Sequence, residues 1–158
     1  MFREMRRSKQ QLPEEECIRI LTEGKRGVLS VLGDDEYPYG IPVDYLYSKE
    51  DGCLYFHGAP AGHKIDAVNR HDKVSFVVFD NEEHKEGDWA PWIRSVVVFG
   101  RIRIIEDTDK RLDIVRRIGL KYYPTVDEVE EELAAAGHRV AVLELTIEHM
   151  TGKLVHEK

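Results

Sequence analysis

A chain of 158 residues fits one domain, and at this size roughly 70 % of the unfolded surface can be buried without a disulfide or metal. Hydrophobic residues make up 42 % and charged residues 34 %, the balance of a globular chain with a strongly charged exterior. The net charge of −7 argues against a nucleic-acid surface, which needs clustered Lys and Arg, yet leaves room for a local basic pocket that holds one phosphate.

The run Met1-Phe2-Arg3-Glu4-Met5-Arg6-Arg7 is basic but leads into Ser8-Lys9-Gln10-Gln11 with no apolar stretch. That argues against a signal peptide or a membrane span. Cys17 and Cys53 have no C-x-x-C partner, so both read as reduced thiols in a cytoplasmic protein. Leu12-Pro13 followed by Glu14, Glu15 and Glu16 opens a helix, with proline in its first turn and acids at the positive end of its dipole. Cys17, Ile18, Ile20 and Leu21 supply its buried face, and Gly24 its stop. Residues 27–32 then read as a short buried strand and residues 33–36 as a hairpin turn.

The clearest pattern follows. Tyr37, Tyr39, Ile41, Val43, Tyr45 and Tyr47 alternate with Pro38, Gly40, Pro42, Asp44 and Leu46, so the large side chains share one face of a strand over residues 37–47. Its two prolines require an edge or a bulge, because neither can donate to a ladder. Residues 53–57 form a third strand. Pro60-Ala61-Gly62 begins a short helix with Ile65 and Val68 inward, and residues 74–79 form a fourth strand. An acidic loop, residues 80–88, carries Trp89 and Trp92 at its far end. The fifth strand, about residues 93–105, turns Val96, Val98, Ile102 and Ile104 one way and Ser95, Val97, Phe99, Arg101 and Arg103 the other. Two helices come next, the first with Leu112, Val115, Ile118 and Tyr122 at helical spacing, the second with Val129, Leu133 and Ala136. Thr125 and Glu128 make a capping box for the second. The sixth strand, residues 140–147, alternates Ala141, Leu143, Leu145 and Ile147. Six strands joined mostly by short turns pair antiparallel and close most economically as a barrel. The expected fold is therefore mainly β, a six-stranded antiparallel barrel with peripheral helices, in one domain over residues 1–158.

One segment combines groups that chemistry can use. From Leu54 to Asp66 a strand ends, a Gly/Ala/Pro loop lets a ligand approach the backbone, and a helix begins with His63 and Lys64 at its start. Unpaired N–H groups, the dipole and a cation together make a phosphate site. An ordinary strand–turn–helix with a surface His and Lys fits the same residues. His57 at the strand end is either a hydrogen-bonded surface residue or an imidazole held near a cofactor. Cys53, His57 and His63 match no standard zinc spacing, so no metal is expected. Arg94 and Ser95 either join the charged surface or reach a polar cofactor edge across a dimer contact. Hydrolase, P-loop and Rossmann signatures are absent.

Six stretches together resemble a known family. They are Gly27-Val28-Leu29-Ser30, residues 37–45, Tyr55-Phe56-His57, Gly62-His63-Lys64, residues 95–100 and residues 147–153, spread from Met5 to Lys153. The chain resembles the pyridoxamine 5′-phosphate oxidase-like flavoproteins, and within them the 5-nitroimidazole-resistance (Nim-like) branch. The resemblance implies a split-barrel homodimer with flavin mononucleotide (FMN) in the subunit interface. Val43, Asp44 and Tyr45 would line the isoalloxazine, while Phe56, His57 and Gly58 would run beneath the ring and ribityl chain. His63 and Lys64 would take the phosphate, and Ser95 with Arg94 would reach the flavin from the second subunit. His57 would stand nearest the reactive side of the ring, as the catalytic residue. The implied function is an FMN-dependent oxidoreductase passing electrons from NAD(P)H or another donor to a small nitroaromatic or quinone-like acceptor. A flavin- or haem-binding carrier or sensor is the alternative on the same barrel. The C-terminal segment from Met150 has no Trp or Arg, which argues against vitamin B6 oxidation, and His63 stands where larger relatives place Arg.

Overall fold

The structure, a computed structural model, describes residues 1–123 and 125–156; Glu157 and Lys158 of the C-terminal segment read above lie outside them. The strands are β1 (Gln11–Leu12), β2 (Arg26–Leu32), β3 (Pro38–Asp44), β4 (Leu46–Ser48), β5 (Cys53–Gly58), β6 (Lys73–Phe79), β7 (Ile93–Ile104) and β8 (Ala141–Val155). The helices are α1 (Glu14–Glu23), α2 (His63–Arg70), α3 (Thr108–Tyr122) and α4 (Val126–Ala136). All pairings are antiparallel, in the order β3-β2-β6-β7-β8-β5-β4, with β1 added on β8.

The two ends of that order, β3 and β4, are consecutive in the chain and separated by Tyr45 alone. One extended run therefore pairs β2 through its first half and β5 through its second, which curls the sheet on itself. The period-two pattern predicts an unbroken strand here; the structure interrupts it at Tyr45, where the chain changes partners. Pro38 and Pro42 both lie in β3, at the end of the hydrogen-bonded path, where a missing donor costs least. The shared face of this run is graded: Val43 and Tyr45 are buried, Tyr39, Ile41 and Tyr47 pack against the core, and Tyr37 lies outside the strand, 74 % exposed.

With no strand opposite it, the Tyr45 backbone is served by α3. The Tyr45 N–H donates to the Tyr122 hydroxyl (2.9 Å), which also lies against the carbonyls of Tyr45 and Lys25. Lys121 Nζ donates to the carbonyls of Gly24 (2.6 Å) and Tyr45 (3.0 Å) and sits 4.2 Å above the Tyr45 ring. Burial pushes the Lys121 ammonium down to about 8, with the Asp44 carboxylate pulling the other way and Lys25 adding to the fall. The Tyr45 ring meets Phe76 edge-on, and its hydroxyl is buried with no hydrogen-bond partner among the described residues. A buried hydroxyl without a partner costs about 1–3 kcal/mol, so Tyr45→Phe is expected to leave stability unchanged or raise it by about 1 kcal/mol. Urea unfolding at fixed slope checks this; a clear loss would mean that the hydroxyl has a partner in solution.

The inward residues Leu29, Val31, Leu54, Phe56, Phe76, Val78, Val96, Val98, Leu143 and Leu145 build the barrel core. On the outer side of β8 and β5, α3 lays Ile114 and Ile118 against Tyr55 and Val142. That second layer buries Ala141 to Leu145 on both faces. The sixth strand runs eight residues further than its apolar alternation indicates, to Val155. Polar His149 and Thr151 break the pattern but still pair with the first half of β7, and Glu148 is the extra residue at the bulge opposite Phe99/Gly100. The α1 helix starts one residue later than read, with Pro13 as its N-cap. Thr125 accepts from the Glu128 N–H, while the Glu128 carboxylate takes the Thr125 hydroxyl rather than a backbone N–H. Both cysteines are free and buried. Arg101 pairs with Asp72 and Glu148, and Arg103 with the buried Glu144, so these arginines belong to surface ion pairs. No helix among the described residues is long and apolar enough to cross a membrane.

Candidate functional site

Strand alternation on β5 sends Phe56 into the core against Phe76 (5.2 Å between ring centres) and turns His57 outward. Cys53 lies four residues away at the other end of β5, with its thiol toward Asp51 and Thr146. After Gly58 the chain crosses a short loop to Gly62, whose φ of +118° is one that residues with a Cβ rarely adopt. Gly62 has no side chain to cap α2, so the first N–H groups of the helix keep their donors free of a side-chain cap.

Lys64 is half-buried beside this helix start. A Cβ on Gly58 would lie 3.0 Å from Lys64 Nζ, so the ammonium rests over bare backbone. Burial lowers its pKa, and it has no hydrogen bond or ion pair among the described residues. A partly desolvated cation next to uncapped N–H groups is an arrangement that an anion would complete. His63, its neighbour, is committed elsewhere. Its ring stacks on Tyr39 (4.3 Å, 12°), and Nε2 accepts the Asp34 N–H (3.2 Å), while the Asp34 carboxylate is held by Arg70 at 2.7 Å.

Asp44 closes β3 opposite Arg26, whose Nε donates to it at 2.8 Å. Asp44 and Lys64 both act on His57. Burial pulls the His57 pKa down most, Lys64 pulls the same way, and Asp44 pulls up; the net direction is below the usual value. A histidine lowered in this way contributes stability that is present above the unfolded pKa and lost as pH falls through the folded one. In the flavin-free protein, an NMR titration of His57 is expected to move to lower pH in Asp44→Asn and to higher pH in Lys64→Ala. A midpoint unmoved in both variants would show that neither charge reaches the ring.

Val43 and Phe56 place their side chains in the core, so toward a ligand they offer backbone only. Tyr45 offers less, because α3 already occupies its N–H and carbonyl. Arg94 and Ser95 stand at the start of β7. Arg94 binds Asp80 (3.2 Å) and Glu83 (3.5 Å), and Ser95 pairs with Phe79 and Lys153. His57 pairs with Val142 on the same β8, eleven residues from Lys153, or roughly 36 Å of strand. One chain therefore does not bring Arg94 and Ser95 to His57.

A cavity that the sequence reading misses is lined in part by His57 and Asp44. The α3–α4 hairpin roofs it with Val115, Ile118 and Tyr122 from α3 and Val129, Glu132 and Leu133 from α4, enclosing about 320 Å³. Those apolar residues are legible as helix faces, but helical spacing does not say that the faces leave a space between them. Elsewhere, Pro42, Val28, Val77 and Val97 stand in register across four strands on the outer side of the sheet, with Phe79 nearby and 65 % exposed.

The family model described as "Pyridoxamine 5'-phosphate oxidase" matches residues 13–154. No curated protein sequence matches the chain. Among solved structures, a conserved hypothetical protein from Mycobacterium tuberculosis aligns with a TM-score of 0.79 at 17% identity, covering 95% of this chain and 90% of that one. A candidate 5-nitroimidazole antibiotic resistance protein from Bacteroides thetaiotaomicron aligns at 0.75 and 20% identity, over 92% and 87%. An FAD-binding protein from Mesorhizobium loti aligns at 0.64 and 26% identity, over 92% and 97%. The curled antiparallel sheet with peripheral helices is the split barrel of these proteins, and the chain belongs to the pyridoxamine 5′-phosphate oxidase family.

Proposed function

We propose that this chain is an FMN-dependent oxidoreductase, working as a homodimer, that reduces a small nitroaromatic or quinone-like acceptor at the expense of NAD(P)H or another donor. The observation that carries the reading is Lys64, half-buried with no partner among the described residues, at the uncapped start of α2 and close enough to act on His57. The residues fit a flavin phosphate: a cation without an ion pair among the described residues, helix N–H groups, and a glycine whose missing side chain lets the ligand approach. FMN, when bound, supplies the electron-transfer chemistry. Lys64 and the α2 N–H groups hold the phosphate, and Gly58 admits the ribityl chain. His57, kept neutral by its burial, donates or accepts one hydrogen bond beside the reacting ring, with Asp44 and Lys64 opposing each other in their effect on its charge. His63 acts indirectly, bracing the turn after β2. The solved relative named for FAD binding and the one named for nitroimidazole resistance support the ligand and acceptor classes.

Two features support the homodimer. The apolar row Pro42, Val28, Val77 and Val97 needs a cover, and Arg94 and Ser95 reach a flavin only from a second copy.

The test is an absorption spectrum of the purified protein before and after anaerobic addition of NADH or NADPH, with any released flavin identified chromatographically. Flavin bands that bleach name the donor, and the released molecule separates FMN from FAD. In the same assay His57→Ala is expected to retain the flavin and lose turnover. A colourless protein that takes up no added flavin would sink the proposal, as would a monomer that holds FMN tightly on gel filtration.

A further inference from the structure

The cavity under the α3–α4 hairpin shares His57 and Asp44 with the flavin site, yet its chemistry is opposite to that of a phosphate pocket. Lys64 does not line it, and among the described residues no Lys or Arg does. Of the cations next in sequence to its lining, Lys121 is turned to the carbonyls of Gly24 and Tyr45, Arg116 to Glu130, Arg117 to Asp51 and Arg139 to the Ala135 carbonyl. The ionisable residues that do line it are Asp44, Glu132, His57, Tyr122 and Tyr123, and the Tyr122 hydroxyl is already taken by the backbone of Tyr45 and Lys25. Asp44 is offset by Arg26, whereas Glu132 is exposed and has no ion pair among the described residues. The remaining wall is aliphatic. A volume of about 320 Å³ is at the small end of ligand pockets and suits a single-ring molecule.

The roof is also fixed in place. A Cβ on Gly119 of α3 would come within 2.8 Å of Val129 Cγ1 on α4, so the two helices touch through a residue with no side chain. The cavity is therefore built by packing in the free chain and does not wait for a ligand to open it.

We infer that this cavity is the acceptor pocket of the enzyme, taking a compact, planar, uncharged or cationic molecule and rejecting anionic analogues. The inference rests on the proposed flavin reading for its purpose. It places the acceptor beside His57, in a space that Lys64 does not line. Aliphatic contacts with Val115, Ile118, Val129 and Leu133 provide affinity, and the Glu132 carboxylate provides discrimination by charge.

Binding without chemistry tests this. Calorimetric titration of the flavin-free protein uses three nitroarenes of nearly equal size: 4-nitrobenzyl alcohol, 4-nitrobenzylamine and 4-nitrobenzoate. The alcohol and the amine are expected to bind at least about tenfold more tightly than the benzoate. Leu133→Trp, which fills the cavity, is expected to weaken alcohol binding by about tenfold or more while FMN uptake stays as in the parent. Glu132→Lys, an exposed substitution that leaves the fold alone, is expected to bring the benzoate within about threefold of the alcohol. It decides the matter if Leu133→Trp fails to fold. Equal binding of the three probes, no binding of any, or loss of FMN uptake in a folded Leu133→Trp protein would overturn the inference, the last by giving the cavity to the flavin. A protein that takes up no flavin but binds the probes in the stated order would defeat the flavin reading and leave the pocket standing.

Discussion

Lys64→Ala is expected to weaken FMN binding by roughly 10–150-fold, the loss of one hydrogen bond between charged groups worth about 1.5–3 kcal/mol. The same substitution is expected to leave the thermal midpoint of the flavin-free protein unchanged or higher. The reason is the state of the ammonium without ligand: it is half-buried, its pKa is lowered by burial, and nothing among the described residues neutralises it. Removing a poorly compensated charge relieves a desolvation cost. The two readouts therefore move in opposite directions, which a general structural role for Lys64 does not produce. Equilibrium dialysis of FMN and a thermal melt of the flavin-free variant supply them. Lys64→Arg should recover part of the affinity, since the charge is restored on a longer and broader group. If the alanine variant keeps the parent affinity, the phosphate is held elsewhere.

Gly100→Ala is expected to cost about 4 kcal/mol or to prevent folding, at the high end of single-substitution effects. Gly100 sits at the bulge where β7 shifts register against β8. A Cβ there would overlap the Thr146 carbonyl oxygen and approach Leu145 Cδ2 to 2.8 Å. The first of these is backbone in the neighbouring strand and cannot swing aside, so the ladder itself must open. Gly40→Ala is the internal control. Its Cβ would meet only Val28 Cγ1 at 3.3 Å and Ser30 Oγ at 3.7 Å on the outer face, so a loss within about 1 kcal/mol is expected. Urea unfolding of both variants makes the comparison. Similar losses at the two positions would mean that the bulge can relax.

Most of the barrel is legible in the residues because its strands obey a single alternation. Residues 74–79 and 93–104 show this most plainly, with inward Val74, Phe76, Val78, Val96 and Val98 all buried. The pattern fails where a strand is covered on both faces or where its partner changes. Residues 141–145 are buried without alternation because α3 packs over the outer side, and the strand beyond Ile147 is polar because it meets solvent. The break at Tyr45 has no local signal, since what differs there is which strand lies alongside. At the candidate site, the loop from Gly58 to Lys64 stands out because glycine, proline and a cation are unusual together at a strand end. The separation of His63 from Lys64 is not legible, because it depends on Tyr39 and Asp34 from another hairpin. Likewise, the two helices after β7 can be read one by one, but the space beneath them is a property of the pair.

The place of β8 in the sheet has a consequence for how the chain is made. It lies between β7 and β5, so it is the strand that joins the two halves of the barrel, and it leaves the ribosome after both of them. Until residues 141–155 have emerged, β5 and β7 each present an unpaired edge, the kind of surface on which neighbouring chains zip together. The Tyr45 junction waits as well, because its hydrogen bonds come from Lys121 and Tyr122, about seventy-seven residues downstream. Closure of the barrel thus waits for residues 141–155 rather than accumulating strand by strand. A nascent chain stalled before Ala141 would be a two-edged open sheet, the form most in need of a chaperone.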